Sequence, residues 1–174
     1  VVLDSRGRVP LSVRVFDVAV APTLVATVAM PTQRVDELRA RGVDVVEVVE
    51  DRDGHVDVGA LLDVLGRRGL LHVLVEGGAA VHGSFVEARA IDAVWAVVAP
   101  VIVGGAGAPG PVGGRGVARM AEAMRLADVN VVAAGDDIVI RGTPMWSAAP
   151  RDDNRTAALL AAPAVGIPTP PMEA

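Results

Sequence analysis

The stretch "LVEGGAAVHGSF", residues 74–85, holds the chain's most suggestive chemistry. An apolar run from His72 to Val75 ends on a carboxylate, Glu76, and two glycines follow at once. Desolvating an unpaired carboxylate is costly, so Glu76 should stand at a strand tip rather than inside a sheet. Open α/β sheets place their ligand sites at the carboxyl ends of strands. Gly77 and Gly78 would let a ligand approach the backbone closely. A helix opening just after them would turn the free N–H groups of Gly78 to Ala80 outward at its positive end, which suits a phosphate or pyrophosphate. A tight strand–helix turn carrying a solvated Glu76 explains the same residues, and the local pattern leaves both readings open.

A second polar cluster, "LDSRGRVP" (3–10), places Asp4 and Ser5 just past a short apolar run. Ser5 could hydrogen-bond a phosphate while Arg6 or Arg8 supplies charge; an ordinary polar turn is the alternative. "GAGAPG" (105–110) spells G-x-G-x-x-G. In a dinucleotide fingerprint the third glycine lies inside a helix. Here Pro109 and Pro111 bracket it, and helical patterning resumes only near Val117. The segment reads instead as a Gly/Pro loop that closes over a ligand. His55, His72 and His82 have no metal-like spacing and are assigned structural or surface roles, with no metal site expected. Met120 and Met124, at helical spacing, are expected in the core, and Asp136 and Asp137 serve a turn.

Composition narrows the chemistry further. The 174 residues include no Cys, Tyr or Lys, and all 16 basic residues are Arg. This excludes a thiolate nucleophile, a disulfide, a cysteine-ligated zinc, a Schiff-base lysine and an orthodox phosphate-loop lysine. No residue is singled out as a catalytic acid or base. The net charge of −5, with no basic block, argues against nucleic acid as a partner. No uncharged apolar run reaches about 18 residues, so no membrane span is expected. No secretory signal is recognisable, and a cytoplasmic location is expected. A first residue Val1 instead of Met points to a fragment of a longer protein.

These groups must be positioned by alternating strands and helices. Strands are expected at 1–3, 24–30, 43–49, 70–76 and 91–103, the last interrupted at Pro100. Helices are expected at 32–42, capped by Thr32 and stopped at Gly42, at 57–69 with Leu61, Leu62 and Leu65 inward, and at 79–90. The alternation argues for right-handed βαβ units in a parallel sheet. A hairpin of strands at 125–133 and 137–142 then adds an antiparallel part. The fold class is therefore α/β: a mixed sheet with a parallel core, a C-terminal antiparallel hairpin and helices on both faces. Residues 1–146 form one domain, which at this size buries roughly 70% of its unfolded surface. Residues 147–174, rich in Ala and Pro, read as a flexible tail with a short helix at 155–162.

Taken together, "VVLDSRGRVP", "LVEGGAAVHGSFVEARAIDAVWAVVAPVIVGG" and "DVNVVAAGDDIVIRG" resemble the reductase domain of the bifunctional riboflavin-biosynthesis deaminase–reductase over roughly residues 1–142. The resemblance implies a dihydrofolate-reductase-like fold and NADPH-dependent reduction of 5-amino-6-(5-phosphoribosylamino)uracil, with hydride reaching C1 of the ribosyl group as its ring opens. It implies that Ser5 contacts NADP, that Glu76 contacts the substrate through ribose hydroxyls, and that Gly78, Ala79, Ala80, Val81, His82, Gly83 and Ser84 hold the cofactor phosphates. A homodimer is expected. In the family, elements ahead of the Asp-Ser strand supply most substrate contacts, and the sequence read from Val1 is expected to lack that part as well as the zinc deaminase domain. The chain thus resembles the cofactor-proximal part of a reductase. Alternatives are a same-fold reductase acting on another pterin- or pyrimidine-like substrate, and a non-catalytic fragment that binds nucleotide or mediates dimerisation.

Overall fold

In the computed structural model the described residues are 1–108 and 110–146. The tail expected at 147–174, with its short helix, lies outside them. The described chain divides into two compact units, one of residues 1–90 and 104–116, the other containing 91–103 and 117–146.

The first unit is built on three parallel strands in the order β1 (Val2–Leu3), β2 (Leu24–Thr27) and β3 (Asp44–Glu47). In register, Val25 stands between Val2 and Val45. Side chains alternate across a strand, and β2 uses both faces. Leu24 and Ala26 join Val48, Val56, Leu61 and Leu65 on one side. Val25 joins Phe16, Leu38, Val43 and Val45 on the other. Helix α1 (Thr32–Ala40) supplies Leu38 and helix α2 (Val58–Arg67) supplies Leu61 and Leu65, so the parallel sheet carries a helix on each face.

Local chemistry accounts for the helix ends. Helix α1 begins after Pro31, so Thr32 is its first helical residue and not its cap; it ends before Gly42, whose φ of +82° favours glycine. Helix α2 is capped by Asp57, whose carboxylate accepts the Ala60 amide at 2.7 Å. Helix α3 (Ala79–Glu87) starts directly after Gly78 and has no side-chain cap.

The second unit is an antiparallel sheet of β4 (Val94–Val98), β5 (Arg125–Ala134) and β6 (Asp137–Met145), in the order β4-β6-β5. Gly135, at φ +64°, and Asp136 close the hairpin where Ala134 faces Asp137. Arg141 stacks on Trp95, 3.9 Å from the ring centre.

Three expectations need correction. The segment 70–76 forms no strand: it has no ladder, and Leu71 and Leu74 are each 79% exposed. Strand preference in Leu- and Val-rich sequence reflects packing against paired neighbours, which this segment lacks among the described residues. The parallel and antiparallel parts are accordingly two separate sheets. Met120 is 86% exposed, on a short 3₁₀ turn (Met120–Glu122) where a longer helical pattern was expected.

Candidate functional site

The loop after β1 is organised by Asp4. Its buried carboxylate accepts the Arg8 and Val9 amides at 2.8 and 2.9 Å, a structural duty that answers the cost of burying it. Ser5 follows at the carboxyl edge of the sheet. Its carbonyl accepts the amides of Val28 and Ala29 and the Thr27 hydroxyl, and its Oγ accepts the Val56 amide at 3.1 Å. Because Oγ is used as an acceptor, the Ser5 hydroxyl proton is left to donate. The Arg6 guanidinium contacts Glu50 Oε2 (3.4 Å) and the Gly54 carbonyl (3.3 Å), and Arg8 is exposed.

Turn 50–56 joins this loop to α3. Asp51 Oδ1 accepts the Asp53 and His55 amides at 2.8 and 2.9 Å. Burial alone would raise the Asp51 carboxyl, but these two amides and the charges of His55 and Arg52 outweigh it and hold the group below its ordinary value. From the same turn, Arg52 reaches Glu87 Oε2 at 3.5 Å.

At the start of α3, the amides of Gly78, Ala79, Ala80 and Val81 have no acceptor among the described residues; the first turn bond runs from the His82 amide to the Gly78 carbonyl. A Cβ built on Gly78 meets nothing within 4 Å, so the chain leaves room at Gly78 itself, whereas one built on Gly113 would lie 3.4 Å from the Ala80 nitrogen. Gly77 is needed for packing instead, since its Cβ would lie 2.5 Å from Val81 Cβ. Glu76 is exposed just ahead of the turn.

The other expected residues of this helix are engaged within the chain. Residues 110–116 run along α3 as a strap. The Gly113 amide donates to the Ala79 carbonyl at 2.7 Å, and His82 Nδ1 lies 2.9 Å from the Pro111 carbonyl. Gly83 is buried beneath the strap, and the Ser84 hydroxyl donates to the Ala80 carbonyl at 3.2 Å. No distance places Glu76 or the start of α3 beside Ser5.

A cleft of about 240 Å³ lies at the carboxyl ends of β2 and β3, lined in part by Thr27, Thr32, Asp36, Arg39 and Glu47. None of the residues expected from sequence lines it. The signal that could have found it is positional: polar groups just past two neighbouring parallel strands. Among the described residues no acidic, histidine or cysteine cluster could hold a metal, and no helix is long and apolar enough to cross a membrane.

The fold is that of a mixed α/β domain of dihydrofolate-reductase type, with a parallel and an antiparallel sheet. Acinetobacter baumannii RibD shares it, with a TM-score of 0.65 and 26% identity over 82% of this chain and 36% of that one. Residues 1–140 match the RibD C-terminal domain, and the chain belongs to that family. The riboflavin biosynthesis protein RibD of Bacillus amyloliquefaciens is 34% identical over 145 residues, covering 83% of this chain. The 2,5-diamino-6-ribosylamino-4(3H)-pyrimidinone 5′-phosphate reductase of Aquifex aeolicus is 36% identical over 123 residues, covering 70%. The chain spans 38% and 54% of the lengths of these two relatives.

Proposed function

We propose that the chain is the cofactor-binding part of an NADPH-dependent reductase of riboflavin synthesis, acting on 5-amino-6-(5-phosphoribosylamino)uracil. One observation carries the site assignment. Four amides without an acceptor among the described residues open the N-terminus of α3, and a Cβ on Gly78 would meet nothing within 4 Å. The donors are all N–H groups at a positive helix end, which fits a dinucleotide's phosphates. Gly78, Ala79, Ala80 and Val81 would hold those phosphates, and Ser5 would donate its hydroxyl to another part of the nucleotide. NADPH, when bound, supplies the hydride.

The chain's own work is binding and orientation. Glu76, exposed beside the amides, would accept hydrogen bonds from ribosyl hydroxyls and hold C1 of that group toward the cofactor. His82, Gly83 and Ser84 would support the site from beneath, because their polar groups or backbone are already used within the chain. A second reading, reduction of the 2,5-diaminopyrimidinone counterpart, is favoured by the name of the Aquifex relative.

The complete protein should oxidise NADPH only when a ribosylaminopyrimidine phosphate is added, and the two candidate pyrimidines compared side by side identify the substrate. NADPH should be preferred over NADH by about tenfold or more, equivalent to about 1.4 kcal/mol for phosphate recognition. Equal use of the two cofactors, or no oxidation with either pyrimidine, contradicts the reading.

A further inference from the structure

We propose that Glu87 is a positioning residue whose carboxylate clasps the strap 110–116 along α3 and keeps its backbone beside the amides at the helix start. The proposal rests on the reading of those amides as the cofactor-phosphate site.

Glu87 is the last residue of α3, and its side chain is 30% exposed. Oε1 accepts the backbone amide of Arg115 at 2.7 Å. Oε2 faces the guanidinium groups of Arg115 (3.3 Å) and Arg52 (3.5 Å), and the Arg115 guanidinium also reaches Asp53 Oδ2 at 3.4 Å. One carboxylate thus ties together the helix, the strap and the 50–56 turn. At the opposite end of α3, the strap bonds Ala79 through the Gly113 amide. Between these points the fit is close. A Cβ on Gly83 would lie 2.6 Å from the Gly113 carbonyl carbon and oxygen, and one on Gly114 would lie 2.5 Å from Glu87 Oε1.

A glycine-rich segment loses much conformational freedom when it is held in place. The charge-assisted bonds at Glu87 offset that loss locally. Exposed ion pairs contribute little to overall stability, so the effect of this cluster should fall on the strap's order and not on global unfolding. With the strap in place, the Gly113 backbone lies against Ala79 and Ala80, and the lower dielectric it would create on that side would strengthen an anion's interaction with the amides. Releasing the clasp should therefore weaken the grip on phosphate while leaving later steps intact.

The test uses the complete protein with three readouts: NADPH affinity by fluorescence titration, melting temperature, and the rate of trypsin cleavage after Arg115. Glu87→Ala should raise the NADPH Kd by about tenfold, leave kcat at saturating NADPH within about twofold, and speed the cleavage. Glu87→Gln retains an oxygen for the Arg115 amide and should recover a measurable part of the affinity. Arg115→Ala and Glu87→Ala together should cost less affinity than the sum of their separate effects, as expected for partners in one interaction. Unchanged NADPH affinity in Glu87→Ala overturns the proposal. So does a fall in melting temperature that accounts for the whole loss, with no recovery in Glu87→Gln. If the unaltered protein binds no NADPH, the proposal falls with the reading it rests on. Faster cleavage in Glu87→Ala would then show that the clasp exists and that the phosphate site is what failed.

Discussion

At the scale of single residues, Glu76 and its two glycines separate into three different duties. Gly77 is required by packing, because a side chain there would run into Val81, whereas Gly78 faces open space. Glu76 is exposed and free of the structural duty that Asp4 carries. If Glu76 holds ribosyl hydroxyls, Glu76→Gln preserves the shape and removes the charge. Hydrogen bonds to charged groups contribute roughly 1.5–3 kcal/mol, so kcat/KM should fall by about 10- to 100-fold. Kinetics of the complete enzyme alongside an NADPH titration check this. Weaker NADPH binding with unchanged turnover at saturating cofactor would move Glu76 to the cofactor side. The sequence singled out Glu76-Gly77-Gly78 because a charge at the end of an apolar run is locally anomalous, but that run forms no strand and its leucines are exposed. The division of labour between the glycines could not be read there, since it depends on Val81 and on the room at Gly78.

At the scale of elements, turn 50–56 links the Ser5 loop to α3, through Ser5 Oγ on one side and Arg52 on the other. Asp51 organises it, with a carboxyl held below its ordinary 3.8. A group whose folded value is depressed stabilises the fold above its unfolded value and loses that contribution as pH falls through the folded one. The melting-temperature gap between the unaltered protein and Asp51→Asn should therefore be full at neutral pH and close as pH drops below 3.8 toward the folded value. A gap that widens in acid contradicts this assignment; the side chain is 26% exposed, so the gap should be modest. Element ends written in local chemistry were legible at Gly42 and at the 134–136 turn, as were the inward Leu61 and Leu65; the Asp57 cap was not read, and Thr32 was taken for a cap it does not form. The strap 110–116 was not itself read; the Gly/Pro loop expected to close over a ligand was 105–110, just ahead of it. The strap's seat on α3 joins Gly83 to Gly113, and two glycines in contact leave no hydrophobic or charge pattern to read. Segment 70–76 and Met120 were misread for a related reason: apolar composition was taken for burial, which depends on neighbours distant in the chain.

At the scale of the whole molecule, the alternation of strands and helices identified the α/β class, and Leu24 to Ala26 show why. A strand whose successive residues are all apolar must bury both faces, and here one face meets α1 and the other α2. The division into a parallel and an antiparallel sheet was not legible, because it turns on whether 70–76 pairs. The functional account depends on one assembled feature, the open start of α3, and Gly78→Val addresses it directly. The backbone at Gly78, φ −73° and ψ 176°, suits any residue, and a Cβ there meets nothing within 4 Å. The fold should therefore tolerate the valine while the approach to the amides is blocked. NADPH titration and thermal melting of the complete protein, with and without the substitution, form the measurement. The account predicts NADPH binding weakened by about tenfold or more, equivalent to about 1.4 kcal/mol, at an essentially unchanged melting temperature. Undiminished NADPH affinity in a properly folded Gly78→Val protein would contradict it and place the cofactor elsewhere.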